Sequence, residues 1–148
     1  MTFPIFIDAN VPIYAGGAEH PLRMPCRDVL LLAARRQRAF STSAEVLQEL
    51  LHRYVAIRRW PRGQIVFDEF ARLMQGRIAA VQADDVQHAA NLAEQFPGLA
   101  ARDLLHLAVM ARIGSDTVVS ADRDFDRVSG IERLDPAGIE GWRDLVLP

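Results

Sequence analysis

The chain has 148 residues, half of them hydrophobic, and this length and apolar content predict a single domain over residues 1–148. No apolar run approaches the roughly 20 residues of a membrane span, and the lone Cys26 excludes an internal disulfide and a multi-cysteine zinc site, so we expect a soluble cytoplasmic protein with no membrane partner. The net charge is only −2, but residues 23–77 hold eleven arginines and five acidic residues, which gives them +6 and leaves −8 elsewhere.

The first half of the chain alternates short apolar runs with stretches of helical spacing. Residues 3–7 predict a buried strand. After a turn that contains Pro and Gly, residues 22–38 predict a helix whose basic end suits the C-terminal dipole. Residues 39–43 predict a second strand, and Ser43 is positioned to cap the helix that follows. Pro61 favours the start of another helix.

The second half continues the same alternation and ends in a short apolar segment. The predicted elements are a strand at 77–83, a helix at 84–96, a helix at 98–114 that ends at Gly114, a strand at 116–122 and a short segment at 131–135. Repeated alternation of strands and helices predicts an α/β fold with a mostly parallel sheet covered by helices on both faces.

Four carboxylates lie at the ends of these elements. Asp8 and Asp122 come just after predicted strands, while Glu49 and Asp103 lie in the early turns of predicted helices. Asp8 is therefore either a helix cap or part of a site. In a parallel sheet these positions can meet at one edge. Grouped carboxylates repel one another unless cations neutralise them, and oxygen ligands favour Mg²⁺ or Mn²⁺.

Four segments carry a resemblance to a known family. They are FIDANVPIY (6–14), TSAEVLQELLHRY (42–54), ARDLLHLAVMA (101–111) and VVSADRDFDRV (118–128). Together they resemble the PIN domain, in particular the VapC-type ribonuclease toxins of VapBC toxin–antitoxin modules. The resemblance implies a three-layer sandwich with a sheet of about four to five strands, and a Mg²⁺- or Mn²⁺-dependent endoribonuclease. It also implies that Asp8, Glu49, Asp103 and Asp122 are catalytic and that Asp8, Asp103 and Asp122 bind the metal.

Two of these assignments have a nearby alternative. Glu49 fits the family pattern better than Glu45, but the two are one helical turn apart and lie on the same face. Asp122 is the simpler match for the last acid, yet Asp124 precedes the phenylalanine and some relatives keep an acid only there. Asn10 matches the small polar residue that orients the loop or a metal-bound water.

Histidines and arginines near these motifs have weaker assignments. His106 lies three residues after Asp103 on an apolar helix, where burial and a hydrogen bond are a better explanation than catalysis. The arginine cluster indicates an anionic partner, and we expect Arg58 and Arg59 to bind RNA. All basic residues are arginine rather than lysine, for which codon bias in a GC-rich genome is the simpler explanation and bidentate phosphate recognition the alternative.

The resemblance also implies partners: an RNA substrate such as tRNA or rRNA, a VapB-like antitoxin and a second copy of the chain in a homodimer. Haloacid-dehalogenase phosphatases and response-regulator receivers require a lysine that this chain lacks. The alternative function is a non-catalytic PIN module that binds RNA or protein. Retention of all four acids favours the enzyme.

Overall fold

The computed structural model describes residues 1–147, so the last residue of the expected domain, Pro148, lies outside the described part. Within these residues, five short strands form one sheet in which every pair is parallel. The strands are β1 (Ile5–Ile7), β2 (Phe40–Ser43), β3 (Ile78–Ala79), β4 (Thr117–Val119) and β5 (Glu132–Leu134). The expected α/β architecture with a parallel sheet of four to five strands is therefore confirmed.

Helices fill the connections between the strands. Across residues 1–147 they are α1 (Asn10–Ala15), α2 (Arg23–Arg35), α3 (Ala44–Ala56), α4 (Trp60–Leu73), α5 (Ala83–Gln95), α6 (Ala101–Ile113) and α7 (Ile139–Val146), with three short 3₁₀ helices at 37–39, 123–127 and 136–138. No helix in the described chain is long and apolar enough to cross a membrane.

The strand order β3-β2-β1-β4-β5 places β1 at the centre of the sheet. The chain moves outward from β1 through β2 to β3, and then crosses to β4 on the other side of β1. Right-handed crossovers in the two directions place helices on opposite faces of the sheet. The direction reverses between β1 and β4, and in open parallel sheets ligands bind beyond the carboxyl ends of the strands at such a point.

The central strands are buried on both faces, which explains why their sequences are continuously apolar. Ile5, Phe6 and Ile7 of β1, and Val118 and Val119 of β4, are completely inaccessible to solvent. The core continues into the helices, where Cys26 is buried as a free thiol. Burial raises the pKa of the Cys26 thiol to about 12, so it is an unreactive packing residue, as predicted.

Several helix boundaries follow directly from local sequence. Ser43 accepts a hydrogen bond from Val46 N at 3.4 Å and caps α3, as predicted. Gly114 ends α6 in the left-handed region at φ +77°, where glycine has no steric penalty. Gly63 allows α4 to approach α3, because a Cβ there would lie 2.2 Å from the Tyr54 side chain.

Four local predictions need correction. The stretch after β1 was expected to be a turn, but Asn10–Ala15 forms the short helix α1. The strands expected at 77–83 and 116–122 contain only Ile78–Ala79 and Thr117–Val119. The terminal helix α7 was not predicted.

Candidate active site

Asp8 follows β1 at the point where the strand order reverses, and its carboxylate is buried. Its Oδ1 accepts a hydrogen bond from Ala9 N at 2.7 Å. Its Oδ2 accepts one from Ser120 Oγ at 2.6 Å and one from Asn10 Nδ2 at 3.1 Å. The residue flanking α1 is Ala9, and no side-chain hydrogen bond caps this helix, so the cap alternative for Asp8 is wrong.

Asn10 and Ser120 join the loop after β1 to the loop after β4. Asn10 Nδ2 donates to Ser120 Oγ at 2.9 Å, and Asn10 Oδ1 accepts from Ala121 N at 3.1 Å. Ser120 Oγ also accepts from Asp122 N at 3.0 Å. This network fixes Asp8 and the segment that contains Asp122 relative to each other. Asn10 therefore orients the loop, one of the two roles expected for it.

Glu49 from α3 and His106 from α6 meet beside Asp8. His106 Nε2 lies 2.6 Å from Glu49 Oε1 and 3.6 Å from Asp8 Oδ1. The imidazole is completely buried and packs against the Phe6 ring at a centroid distance of 5.3 Å. The expectation of a buried, hydrogen-bonded His106 is thus confirmed, but its partner is a predicted site carboxylate.

A second group of carboxylates comes from α6 and the loop after β4. In this second group, Asp103, Asp122 and Asp124 each offer a carboxylate oxygen, and these oxygens lie within 4.8 Å of one another. The ligand atoms of Asp8, Glu49 and His106, which form the first group, satisfy the same distance. Asp122 Oδ1 also accepts a hydrogen bond from Asp124 N at 2.9 Å.

The two groups influence each other electrostatically. Burial raises the pKa of Asp103 to about 7, and the negative charges of Asp8, Asp122 and Glu49 act in the same direction, while His106 opposes them. Burial likewise raises the pKa of Asp8, against the charge of His106 and the Ser120 hydrogen bond. The structure therefore brings all four predicted carboxylates into one region, where their charges repel one another and His106 offsets only part of that repulsion.

The alternative acids differ in position. Glu49 belongs to the group with Asp8 and His106, whereas Glu45 lines a neighbouring groove with Gln48 and His52. Burial raises the pKa of Glu45, and the charge of Glu49 adds to this. Asp122 and Asp124, in contrast, are both in the second group, so geometry does not separate them.

A PIN domain family model matches residues 5–131 of the chain. The chain belongs to the PIN domain family. Two curated PIN domain relatives come from Mycobacterium tuberculosis. Ribonuclease VapC13 is 39% identical over 130 residues, which cover 88% of this chain and 98% of the relative. Ribonuclease VapC23 is 43% identical over 120 residues, which cover 80% of this chain and 92% of the relative.

Solved structures share the PIN domain fold at lower identity. A chain in the crystal structure of VapBC2 from Rickettsia felis bound to a promoter DNA fragment matches with a TM-score of 0.70 at 18% identity, covering 88% of this chain and 97% of that one. A chain of FitAcB from Neisseria gonorrhoeae matches with a TM-score of 0.65 at 18% identity, and the match covers 89% of this chain and 97% of that one. The resemblance seen in the sequence motifs is thus confirmed.

Sequence reasoning missed two features of this PIN domain. Ser120 was not singled out, although it lies directly after β4 and two residues before Asp122. The hydrogen bond between His106 and Glu49 joins residues 57 positions apart, and only the packing of α3 against α6 brings them together.

The predicted RNA-binding residues lie outside both carboxylate groups. Arg58 and Arg59 are exposed in the connection between α3 and α4, and Arg58 adopts a left-handed conformation at φ +56°. Arg102 forms an ion pair with a site carboxylate, since its Nε lies 3.8 Å from Glu49 Oε2.

Proposed function

We propose that this PIN domain, over residues 1–148, is a VapC-type endoribonuclease that hydrolyses RNA phosphodiester bonds with the help of Mg²⁺ or Mn²⁺. The observation that carries the proposal is the convergence of Asp8, Glu49, Asp103 and Asp122 at one edge of a parallel sheet. Curated relatives with 39–43% identity are named VapC ribonucleases, which supports the same reaction class for this chain.

The residues present fit a divalent metal. Carboxylate oxygens dominate both groups, and Mg²⁺ prefers such ligands over imidazole or thiolate. Burial, together with neighbouring carboxylates, raises the pKa values of Asp8 and Asp103, so a bound cation would stabilise their ionised forms. We assign Asp8, Asp103 and Asp122 as the metal ligands, for one or two ions. When bound, such an ion supplies positive charge at the scissile phosphate and promotes attack by water.

The chain's own residues position the reacting groups. Ser120 and Asn10 hold the Asp8 carboxylate in one orientation, and the proton on His106 Nε2 engages Glu49 Oε1. Hydrolysis requires no nucleophile from the chain. The oxygen of water bonds to phosphorus, one phosphorus–oxygen bond of the backbone breaks, and the proton that the water gives up balances the one that the leaving oxygen gains.

The substrate proposal follows from charge and from how proteins recognise RNA. An acidic pocket repels RNA, so binding needs cations in the site together with positive side chains beside it. Arg58 and Arg59 are exposed and suited to hold the RNA backbone. Sequence-specific recognition of RNA usually targets unpaired loops, and therefore we propose tRNA or rRNA as the substrate.

The biological role we propose is that of a toxin, acting in the cytoplasm as a homodimer and inhibited by a VapB-like antitoxin. Solved relatives of the fold include the VapBC2 proteins of Rickettsia felis and a toxin–antitoxin complex from Klebsiella pneumoniae, which supports such a partner. The role predicts that growth stops when the chain is expressed alone and resumes with its antitoxin.

RNA cleavage with and without metal tests the reaction. The purified chain should cut RNA in Mg²⁺, and a chelator or Asp8→Asn should abolish cleavage. Asp68→Asn is a matched control, because Asp68 is exposed on α4 outside both carboxylate groups. RNA binding without cleavage by the unmodified chain would instead favour the non-catalytic PIN module.

A further inference from the structure

A pocket of about 540 Å³ between the loop after α1 and the α3–α4 helices combines arginines with aromatic rings. We call this cavity the basic pocket. Its wall includes Tyr14, His20, Arg53, Arg59 and Arg62. This volume lies within the usual range of ligand pockets, roughly 300–1,000 Å³. The acidic residue in its wall is Glu19, so the three arginines leave a net charge of +2.

Two helices lead from the carboxylates to this pocket. On α3, Arg53 lies four residues after Glu49, which is one helical turn or about 6 Å along the axis and on the same face. On α1, Tyr14 lies four residues after Asn10, which bonds to Asp8. The pocket therefore begins one turn beyond the site on both helices, within reach of the RNA nucleotides next to the cut phosphate.

The aromatic surface of the pocket is held in place before any ligand binds. The Tyr14 and His20 rings pack against each other with centroids 4.7 Å apart and their planes tilted by 32°. His20 Nδ1 accepts a hydrogen bond from Leu22 N at 3.0 Å, and Arg62 Nη2 donates to Gly16 O at 2.6 Å, so the loop between α1 and α2 is fixed at both ends. His20 remains exposed, which leaves its ring accessible to a base.

We propose that the basic pocket binds one unpaired nucleotide of the RNA substrate beside the cut bond. The base stacks on the Tyr14–His20 pair, and Arg53 and Arg59 contact the adjacent phosphates. Stacking on an aromatic ring tolerates any base but needs an unpaired one, so the pocket selects single-stranded RNA. The inference rests on the proposed function, because it takes the carboxylate site as the place of cleavage.

The charge of the pocket favours RNA over an apolar protein segment as its occupant. Arg53 and Arg59 are both exposed and have no acidic partner within ion-pair distance among the described residues. Each phosphate contact releases counterions, so a nucleotide bound here makes affinity depend on salt.

Fluorescence anisotropy with a labelled single-stranded RNA of about 12 nucleotides tests the proposal, in the Asp8→Asn background so that the RNA stays intact. His20→Asn keeps an acceptor for Leu22 N but removes the ring, and should weaken binding about tenfold, whereas His20→Phe should retain affinity. The double variant with Arg53→Gln and Arg59→Gln should reduce the slope of log affinity against log salt concentration by about 1.4, which is about 0.7 for each lost phosphate contact.

Two controls separate stacking from general electrostatics. Arg38→Gln with Arg72→Gln removes an equal charge from two exposed positions outside the pocket and should change neither affinity nor slope. A duplex RNA of the same length should bind equally well to His20→Asn and to its parent, because paired bases cannot stack on the pocket.

Unchanged single-strand affinity in the pocket variants would overturn the proposal, and so would loss of dimer or antitoxin binding with RNA affinity intact, since the pocket would then be a protein interface. Failure of the proposed reaction gives a different result: the unmodified chain does not cut RNA in Mg²⁺, while the binding measurements still report on the pocket.

Discussion

Replacing Asp103 with asparagine should stabilise the metal-free protein above neutral pH. The Asp103 side chain lies in the first turn of α6 and is only 7% exposed. Burial, with the charges of Asp8, Asp122 and Glu49, raises its pKa to about 7 from an ordinary value of 3.8. Asparagine keeps the size of the side chain but removes the charge that these surroundings disfavour.

The sign of the effect follows from proton binding. Between the two pKa values the folded protein holds a proton on Asp103 that the unfolded chain has released, so the free energy of unfolding decreases as pH rises through this window. The full shift corresponds to about 4 kcal/mol at 1.36 kcal/mol per pKa unit. We take half, about 2 kcal/mol, because local relaxation and water penetration reduce the cost of burying a charge.

The helix dipole opposes the stabilisation expected for Asp103→Asn, but its contribution to the free energy is smaller. The dipole of α6 favours a negative charge in its first turn by about 0.3–1 kcal/mol, which the asparagine variant loses. This contribution does not outweigh burial and repulsion. For a domain of this length, 2 kcal/mol corresponds to an increase of about 4–8 °C in the unfolding temperature.

Urea unfolding with a chelator present, at a series of pH values from about 4 to 8, measures the effect. The free energy of unfolding of Asp103→Asn should exceed that of the unmodified chain by an amount that grows with pH, from near zero to about 2 kcal/mol, and levels off above about pH 7. For the control Asp68→Asn, the difference in free energy of unfolding from the unmodified chain should not increase between about pH 4 and about pH 8. Equal stability of Asp103→Asn and its parent at about pH 8 would refute the reasoning.

Other variants test individual assignments. Asp122→Asn should reduce Mg²⁺-dependent cleavage more than Asp124→Asn, and the reverse order in single-turnover rates would show that Asp124 is the ligand. His106→Leu leaves buried carboxylates without a donor and should destabilise the metal-free protein by about 1–3 kcal/mol in urea unfolding, which equal stability would contradict. Neutralising Arg58 and Arg59 together should reduce the salt slope of RNA binding by about 0.7 per lost contact, whereas an unchanged slope with lost antitoxin binding would assign them to the protein partner.

The elements that sequence predicted well are those in which a single local cause decides the structure. Continuous apolar residues in β1 reflect burial on both faces of a central parallel strand. The end of α6 follows from glycine in the left-handed conformation, and the start of α3 from the hydroxyl of Ser43. Each of these signals acts within a few residues, so the sequence alone reveals it.

The elements that sequence missed depend on contacts with distant parts of the chain. The helix α1 has only six residues and includes Pro12, so its local sequence is typical of a turn, yet α1 packs against α2 and α4. The four acids were found because their positions relative to strands and helices follow a family pattern. Ser120 and the bond from His106 to Glu49 arise from tertiary packing, which spacing along the chain does not encode.

Direct measurement of metal binding tests the central claim that the buried carboxylates hold a divalent cation. Titration of the protein with Mn²⁺, followed by electron paramagnetic resonance of the free ion, reports binding without requiring a substrate. The account predicts saturable binding by the unmodified chain and by Asp68→Asn, and its loss in Asp8→Asn. Equal Mn²⁺ binding by Asp8→Asn and the unmodified chain, or none by either, would contradict it.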